Sequence, residues 1–173
     1  MTFIRSRGFT LMEMVITLTM LALMAAYSAP YLTYGVQSYH ETAAAVDTLT
    51  QLRLSSERLV REIREIRNSG AYDISTPVSG PNSTLSFTKS DTETVTIDTA
   101  AGALRLSYAS VSGGSAFTLS NKLSSITFRY WQNDGVTAAT SNSDVAFIDF
   151  ELVLTHSGNS YPQRSRVALR NQP

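Results

Sequence analysis

The chain of 173 residues contains no cysteine, so disulfides, thiolate metal sites and a cysteine nucleophile are excluded together. Histidine is almost as scarce: His40 and His156 are the only two, too few for a histidine-rich metal centre. Neither sign of charge is in excess, with 14 Lys plus Arg against 14 Asp plus Glu. Proteins that hold nucleic acid by neutralising phosphates are normally basic, so no nucleic-acid partner is expected. Charge is also sparse, 16 % of residues against a usual quarter. It is unevenly spread as well, because residues 14–39 carry no formal charge at all. Ser and Thr, by contrast, supply 29 of the 103 residues from 71 to 173. Such asymmetry means that the chain has to be read in pieces.

Residues 1–8 carry Arg5 and Arg7 and no acid, and an apolar run follows from Phe9 to Leu32, interrupted only by Glu13. As a helix, its 24 residues span about 36 Å, enough to cross a hydrocarbon core of about 30 Å. Arg5 and Arg7 would keep the N-terminus in the cytoplasm by the positive-inside rule, which places the rest of the chain outside. An ordinary secretory signal is one reading of such a start, with Ala26-Tyr27-Ser28 before Ala29 as its cleavage site. Glu13 argues against it, since an acid at the head of an apolar stretch is costly in hydrocarbon and calls for a partner. The bland alternative is a carboxylate that snorkels to the headgroups near the end of the span.

Arg7-Gly8-Phe9-Thr10-Leu11-Met12-Glu13 resembles the class III signal of type IV pilins and type II secretion pseudopilins. That resemblance implies cleavage by a membrane prepilin peptidase between Gly8 and Phe9 and N-methylation of Phe9. Glu13 then matches the family's acid, five residues into the mature chain. The physics fits those roles. Gly8 has no side chain to keep a peptidase from the backbone. Cleavage frees an amine at Phe9, and in an apolar setting that amine and the Glu13 carboxylate each need a counter-charge. Pairing Glu13 with the amine of a neighbouring subunit would draw subunits into a helical array at fixed register. Pro30 lies where many type IV pilins carry a proline; it removes one helix bond and is expected to kink the helix, at the membrane exit or within a packed filament.

From about residue 31 to residue 67 the pattern stays helical, and Asn68-Ser69-Gly70 supplies a C-terminal stop. Leu49, Leu52, Leu59, Ile63 and Ile66 form the apolar stripe expected to face a sheet or neighbouring helices. Glu57 and Arg61 are spaced as a favourable i,i+4 pair. Arg53, Arg58, Arg61, Arg64 and Arg67 interleave with Glu57, Glu62 and Glu65, which reads as a mixed, solvated face. The run Leu59-Val60-Arg61-Glu62-Ile63-Arg64 also resembles J-type minor pseudopilins, and Tyr34-Gly35-Val36-Gln37-Ser38-Tyr39 is similar to O-type minor pilins of mannose-sensitive haemagglutinin pili.

After Gly70 the periodicity becomes alternating. Residues 84–90, 93–98, 103–109, 116–120, 123–131, 145–155 and 164–170 read as strands. Ala101-Gly102, Ser112-Gly113-Gly114, Asp134-Gly135 and Ser157-Gly158-Asn159 read as their turns. The expected fold class is α+β: one long N-terminal helix, transmembrane then amphipathic, packed on an antiparallel β-sheet head. The parts are a leader at 1–8, a membrane or filament-core helix at 9–32, an amphipathic helix at 33–69 and a periplasmic head at 70–173. The final Arg166-Val167-Ala168-Leu169-Arg170-Asn171 again looks like J-type heads.

Catalytic motifs are missing: there is no Gly-x-Ser-x-Gly elbow, P-loop, His-Glu-x-x-His or EF-hand loop. His156, Asp149 and a serine make a triad only on paper, because serine is so abundant. Asn133-Asp134 and Asn142-Ser143-Asp144 offer loop oxygens, yet their spacing fits no calcium template. Asn82-Ser83-Thr84 spells a glycosylation sequon, read as accidental in a bacterial chain, and Tyr130-Trp131 is expected in the core. No enzyme, no metal and no cofactor are expected. The resemblance implies a minor pilin that primes or caps a haemagglutinin-type pilus, with a minor pseudopilin of a type II secretion system as the alternative. A secreted β-rich binding domain is a more distant one. The implied partners are minor and major pilin subunits, the prepilin peptidase, the inner-membrane assembly platform and, before assembly, membrane lipid.

Overall fold

A computed structural model describes residues 9–111 and 115–169. Arg5, Arg7, Gly8, the Ser112-Gly113-Gly114 turn and the terminal Arg170-Asn171 lie outside the described residues. Two compact units divide at Ala43/Ala44. Among the described residues a single helix, α1, runs over Leu11–Arg64 and is followed by seven strands. These are β1 (Leu85–Thr88), β2 (Thr94–Ala100), β3 (Ala103–Tyr108), β4 (Ala116–Ser120), β5 (Leu123–Trp131), β6 (Phe147–His156) and β7 (Asn159–Ala168). All strand pairs are antiparallel, so the architecture is α+β.

The first unit contains residues 11–43 of α1, and every described residue in it is exposed. The second unit holds the rest of α1 and two sheets, one ordered β1-β2-β3-β4 and the other β5-β6-β7. Strict alternation builds its core. Leu85, Phe87, Val95, Ile97, Leu104 and Leu106 come from the first sheet; Ile126, Phe128, Ile148, Phe150, Leu152 and Leu154 come from the second. Leu52, Leu59 and Ile63 from α1 close it. Small polar residues let the helix come near both sheets. Ser55 donates to the Leu119 carbonyl of β4 at 3.2 Å, while the Ser56 hydroxyl meets that of Ser165 in β7 at 3.2 Å.

Turn chemistry fixes the register of two hairpins. Ala100 pairs with Ala103 and His156 with Asn159, which leaves two-residue loops. Ala101 and Gly102 have φ of 50° and 73°, Ser157 and Gly158 of 50° and 79°. Positive φ at both central residues is the type I′ geometry that matches strand twist.

Four sequence expectations need correction. The helix stops at Arg64 rather than Arg67, because the next residues leave it to bond the end of β1 and the residues just after it. Arg67 N–H donates to the Thr88 carbonyl at 2.9 Å, Ser90 N–H donates to that of Glu65 at 3.1 Å, and Ile66 bridges Lys89. Leu49, expected on the buried stripe, is 49 % exposed, whereas Thr48, Ser55, Ser56 and Glu62 are buried. Glu57 pairs with Arg53 at 2.8 Å rather than with Arg61. Finally, β7 begins at Asn159, not 164, and runs through Pro162. An edge strand tolerates proline because a missing N–H there costs no ladder bond.

Candidate functional site

Thr10 caps α1. Its carbonyl accepts the Met14 N–H at 3.1 Å, the first helical bond, and its hydroxyl accepts the Glu13 N–H at 3.3 Å. Thr10-Leu11-Met12-Glu13 therefore has the Thr-x-x-Glu spacing of a capping box, a local reason for the helix to begin at Leu11. Hydrophobic patterning alone missed that signal. Glu13 lies in the first turn, where a carboxylate is stabilised by the positive end of the helix dipole. Phe9 precedes the cap and is 69 % exposed.

Beyond Glu13 the helix satisfies its own polar groups. The hydroxyls of Thr17, Thr19, Ser28 and Thr33 donate to the carbonyls of Met14, Ile16, Ala25 and Ala29 at 2.9–3.2 Å. In hydrocarbon a hydroxyl finds no water, so such bonding back to the helix is what a membrane span requires. The helix continues through Pro30. Proline has no N–H to donate, so the carbonyl of Ala26, one turn before, lacks its helical bond. Among the described residues α1 is the one helix long and apolar enough to cross a bilayer, and its most apolar window is entirely exposed. A core helix of a soluble protein would bury that window; this one offers it to lipid or to other helices.

Residues 4–29 match a family described as the prokaryotic N-terminal methylation motif. That motif is the prepilin leader, and with the apolar helix it supports a type IV pilin-like class anchored in a membrane. It also implies processing by a prepilin peptidase and assembly with pilins. No curated protein matches the chain.

Most other candidates in the head serve the fold. His156 and Asp149 are seven residues apart on β6, about 23 Å by strand rise, so they do not form a triad. Asp134 accepts the backbone N–H groups of Val136 and Thr137 at 2.9 and 2.8 Å and the Thr137 hydroxyl, as turn residues do. Those bonds hold its carboxyl below the usual carboxylate range, the Thr137 hydroxyl contributing most. The Asn142 side chain donates to the Ile74 carbonyl at 2.8 Å, and Asn82 donates to that of Pro77 at 2.5 Å. Among the described residues no group of three acids or histidines is placed to hold a metal. Tyr130 is buried as expected, whereas Trp131 is half-buried. Its ring lies 5.9 Å from the Arg166 guanidinium, which also forks onto Asp149 at 2.6 and 2.8 Å.

Arg53, Glu57, Arg58, Arg61, Arg64 and Glu65 are exposed, as a solvated face requires, but Glu62 departs from that reading, its side chain only 3 % exposed. Its Oε1 accepts the Tyr108 hydroxyl at 2.8 Å and lies 2.8 Å from the Arg58 guanidinium. Lys89 stands 3.4 Å from Oε2 and 2.5 Å from Glu65. The Glu65 hydrogen bond leads in raising the Lys89 ammonium above its ordinary range, with help from Glu62. Burial raises the Tyr108 hydroxyl. Together these groups tie the last turns of α1 to β3 and to the residue after β1.

Proposed function

We propose that the chain is a minor pilin subunit that primes or caps assembly of a type IV pilus of the haemagglutinin type. Cleavage after Gly8 releases the leader with Arg5 and Arg7, and Phe9 becomes the N-methylated first residue. The helix holds the subunit in the bacterial inner membrane with its head in the periplasm until the filament takes it up. Glu13 meets the amine of a neighbouring subunit during uptake, and Pro30 gives the helix a place to bend. The observation that carries this reading is the methylation motif at residues 4–29 on an exposed apolar helix whose only charge over residues 9–39 is Glu13. Within the head unit, Val46, Leu49 and Leu54 of the same helix also remain exposed, apolar surface suited to neighbouring helices. The protein's work is structural rather than catalytic.

A minor pseudopilin of a type II secretion system uses the same chemistry and is the second reading, favoured by the Arg- and Glu-rich run at residues 59–67. The test is Glu13→Ala in the native cell. The variant should be processed and its head should fold, yet it should be missing from sheared filaments or from a cross-linked pseudopilus. Normal incorporation would refute the assembly role.

A further inference from the structure

Residues 14–39 form about 39 Å of uncharged helix, against about 30 Å of hydrocarbon. Charge therefore does not decide where the membrane ends along the helix; the first groups to do so are His40 and Glu41. Four tyrosines fall inside that undecided stretch, and three of them lie close to the 30 Å limit, with Tyr39 further out, about 45 Å from Phe9. Tyr27, Tyr31 and Tyr34 are spaced i, i+4, i+7, which puts them within about 60° of one another around the helix. They are 75, 75 and 68 % exposed. Measured from Phe9, they stand about 27, 33 and 38 Å along the axis, so the far edge of the hydrocarbon falls between the first two.

We propose that Tyr27, Tyr31 and Tyr34 are an interfacial anchor that seats in the lipid headgroup layer and fixes the depth of the helix before assembly. An amphipathic ring places its apolar body against acyl chains and its hydroxyl in the headgroups. Pro30 supports the same boundary independently. The Ala26 carbonyl that it leaves without a helical bond would be costly in hydrocarbon but is readily solvated at the headgroups. With the anchor seated, Glu13 sits about 21 Å deeper than Tyr27, near the opposite edge of the membrane. The inference rests on the membrane-spanning reading of α1.

The absence of cysteine makes the test direct, because an introduced cysteine is the chain's sole thiol. The full chain is reconstituted in vesicles of phosphatidylethanolamine and phosphatidylglycerol with single cysteines at Met20 or Val36, then exposed to a membrane-impermeant maleimide. Met20→Cys should be protected and Val36→Cys labelled. Adding Tyr27→Leu, Tyr31→Leu and Tyr34→Leu should let the helix sink and cut labelling at Val36→Cys severalfold. The corresponding three Tyr→Trp changes should preserve it. Unchanged labelling in the Leu variant, with Met20→Cys still protected, would overturn the anchor and leave the tyrosine face to neighbouring helices. Labelling of Met20→Cys itself would instead overturn the membrane span on which the anchor depends.

Discussion

Removing the Glu62 carboxylate should be among the costly single changes in the head. Breaking a buried ion pair by deleting one partner costs about 3–5 kcal/mol when the other charge is stranded. Here the stranding is partial. The Arg58 side chain is 42 % exposed and can turn to water, and Lys89 keeps Glu65 at 2.5 Å. Tyr108 retains its bond from Arg58, at 2.6 Å. What remains is the lost Tyr108 bond, the cavity and a Lys89 side chain only 15 % exposed with one carboxylate fewer, so Glu62→Ala should cost about 2–3 kcal/mol. Glu62→Gln keeps an acceptor for Tyr108 and should cost about half as much. Trp131 is the chain's sole tryptophan and lies in β5, so its fluorescence reports on the head during urea unfolding of the full chain in detergent. The unfolding free energy would be compared across wild type, Glu62→Ala and Glu62→Gln. A Glu62→Ala variant within about 0.5 kcal/mol of wild type would refute the claim that this cluster fastens α1 to the sheet. Equal losses in the two variants would refute the division between hydrogen bond and charge.

Two further outcomes follow from particular groups. Asp73 accepts Arg67 Nε at 2.6 Å and the Ser69 hydroxyl at 3.0 Å, and the Arg67 bond leads in holding its carboxyl below the usual range. A depressed carboxylate contributes stability above its unfolded value and loses that contribution as pH falls through its folded value. The urea midpoint of the head should therefore fall on acidification below the ordinary carboxylate range, and Asp73→Asn should flatten that fall; an unchanged pH profile in the variant would refute it. Replacing Gly8 with a bulky residue such as Leu should leave uncut precursor in the native membrane, read as retained leader mass, whereas full cutting at the same bond would count against the peptidase assignment.

The part of the chain most legible in sequence is the part whose constraints are local. The leader, the acid at Glu13 and the apolar run are contiguous, and residues 4–29 match a recognised motif without help from the tertiary fold. A segment of each of the seven strands is also legible, most clearly in β1, β2, β3, β5 and β6, whose alternation fills one face of the core. The helix surface within the head is not. Hydrophobic spacing centred the buried face on Leu52, Leu59 and Ile63 and carried Leu49 with them. The structure keeps Leu52, Leu59 and Ile63 buried but extends that face to Thr48, Ser55 and Glu62 and leaves Leu49 out, because small hydroxyls let the helix approach β4 and β7. Arg58 is a local i,i+4 partner of Glu62, but Tyr108 and Lys89 converge on it from distant positions, and no window of sequence displays that. The early start of β7 was hidden for another reason: Pro162 argues against a strand unless the strand is known to lie at an edge.

In the proposed assembly role a peptidase cuts this chain after Gly8 and leaves a methylated Phe9 at the head of a membrane helix. The most direct measurement is the intact mass and N-terminal sequence of the protein purified from its native membrane. The mature chain is expected to begin at N-methylated Phe9. A mature form that begins near Ala29 would contradict it, since Glu13 and the whole span would then have been discarded with an ordinary signal peptide.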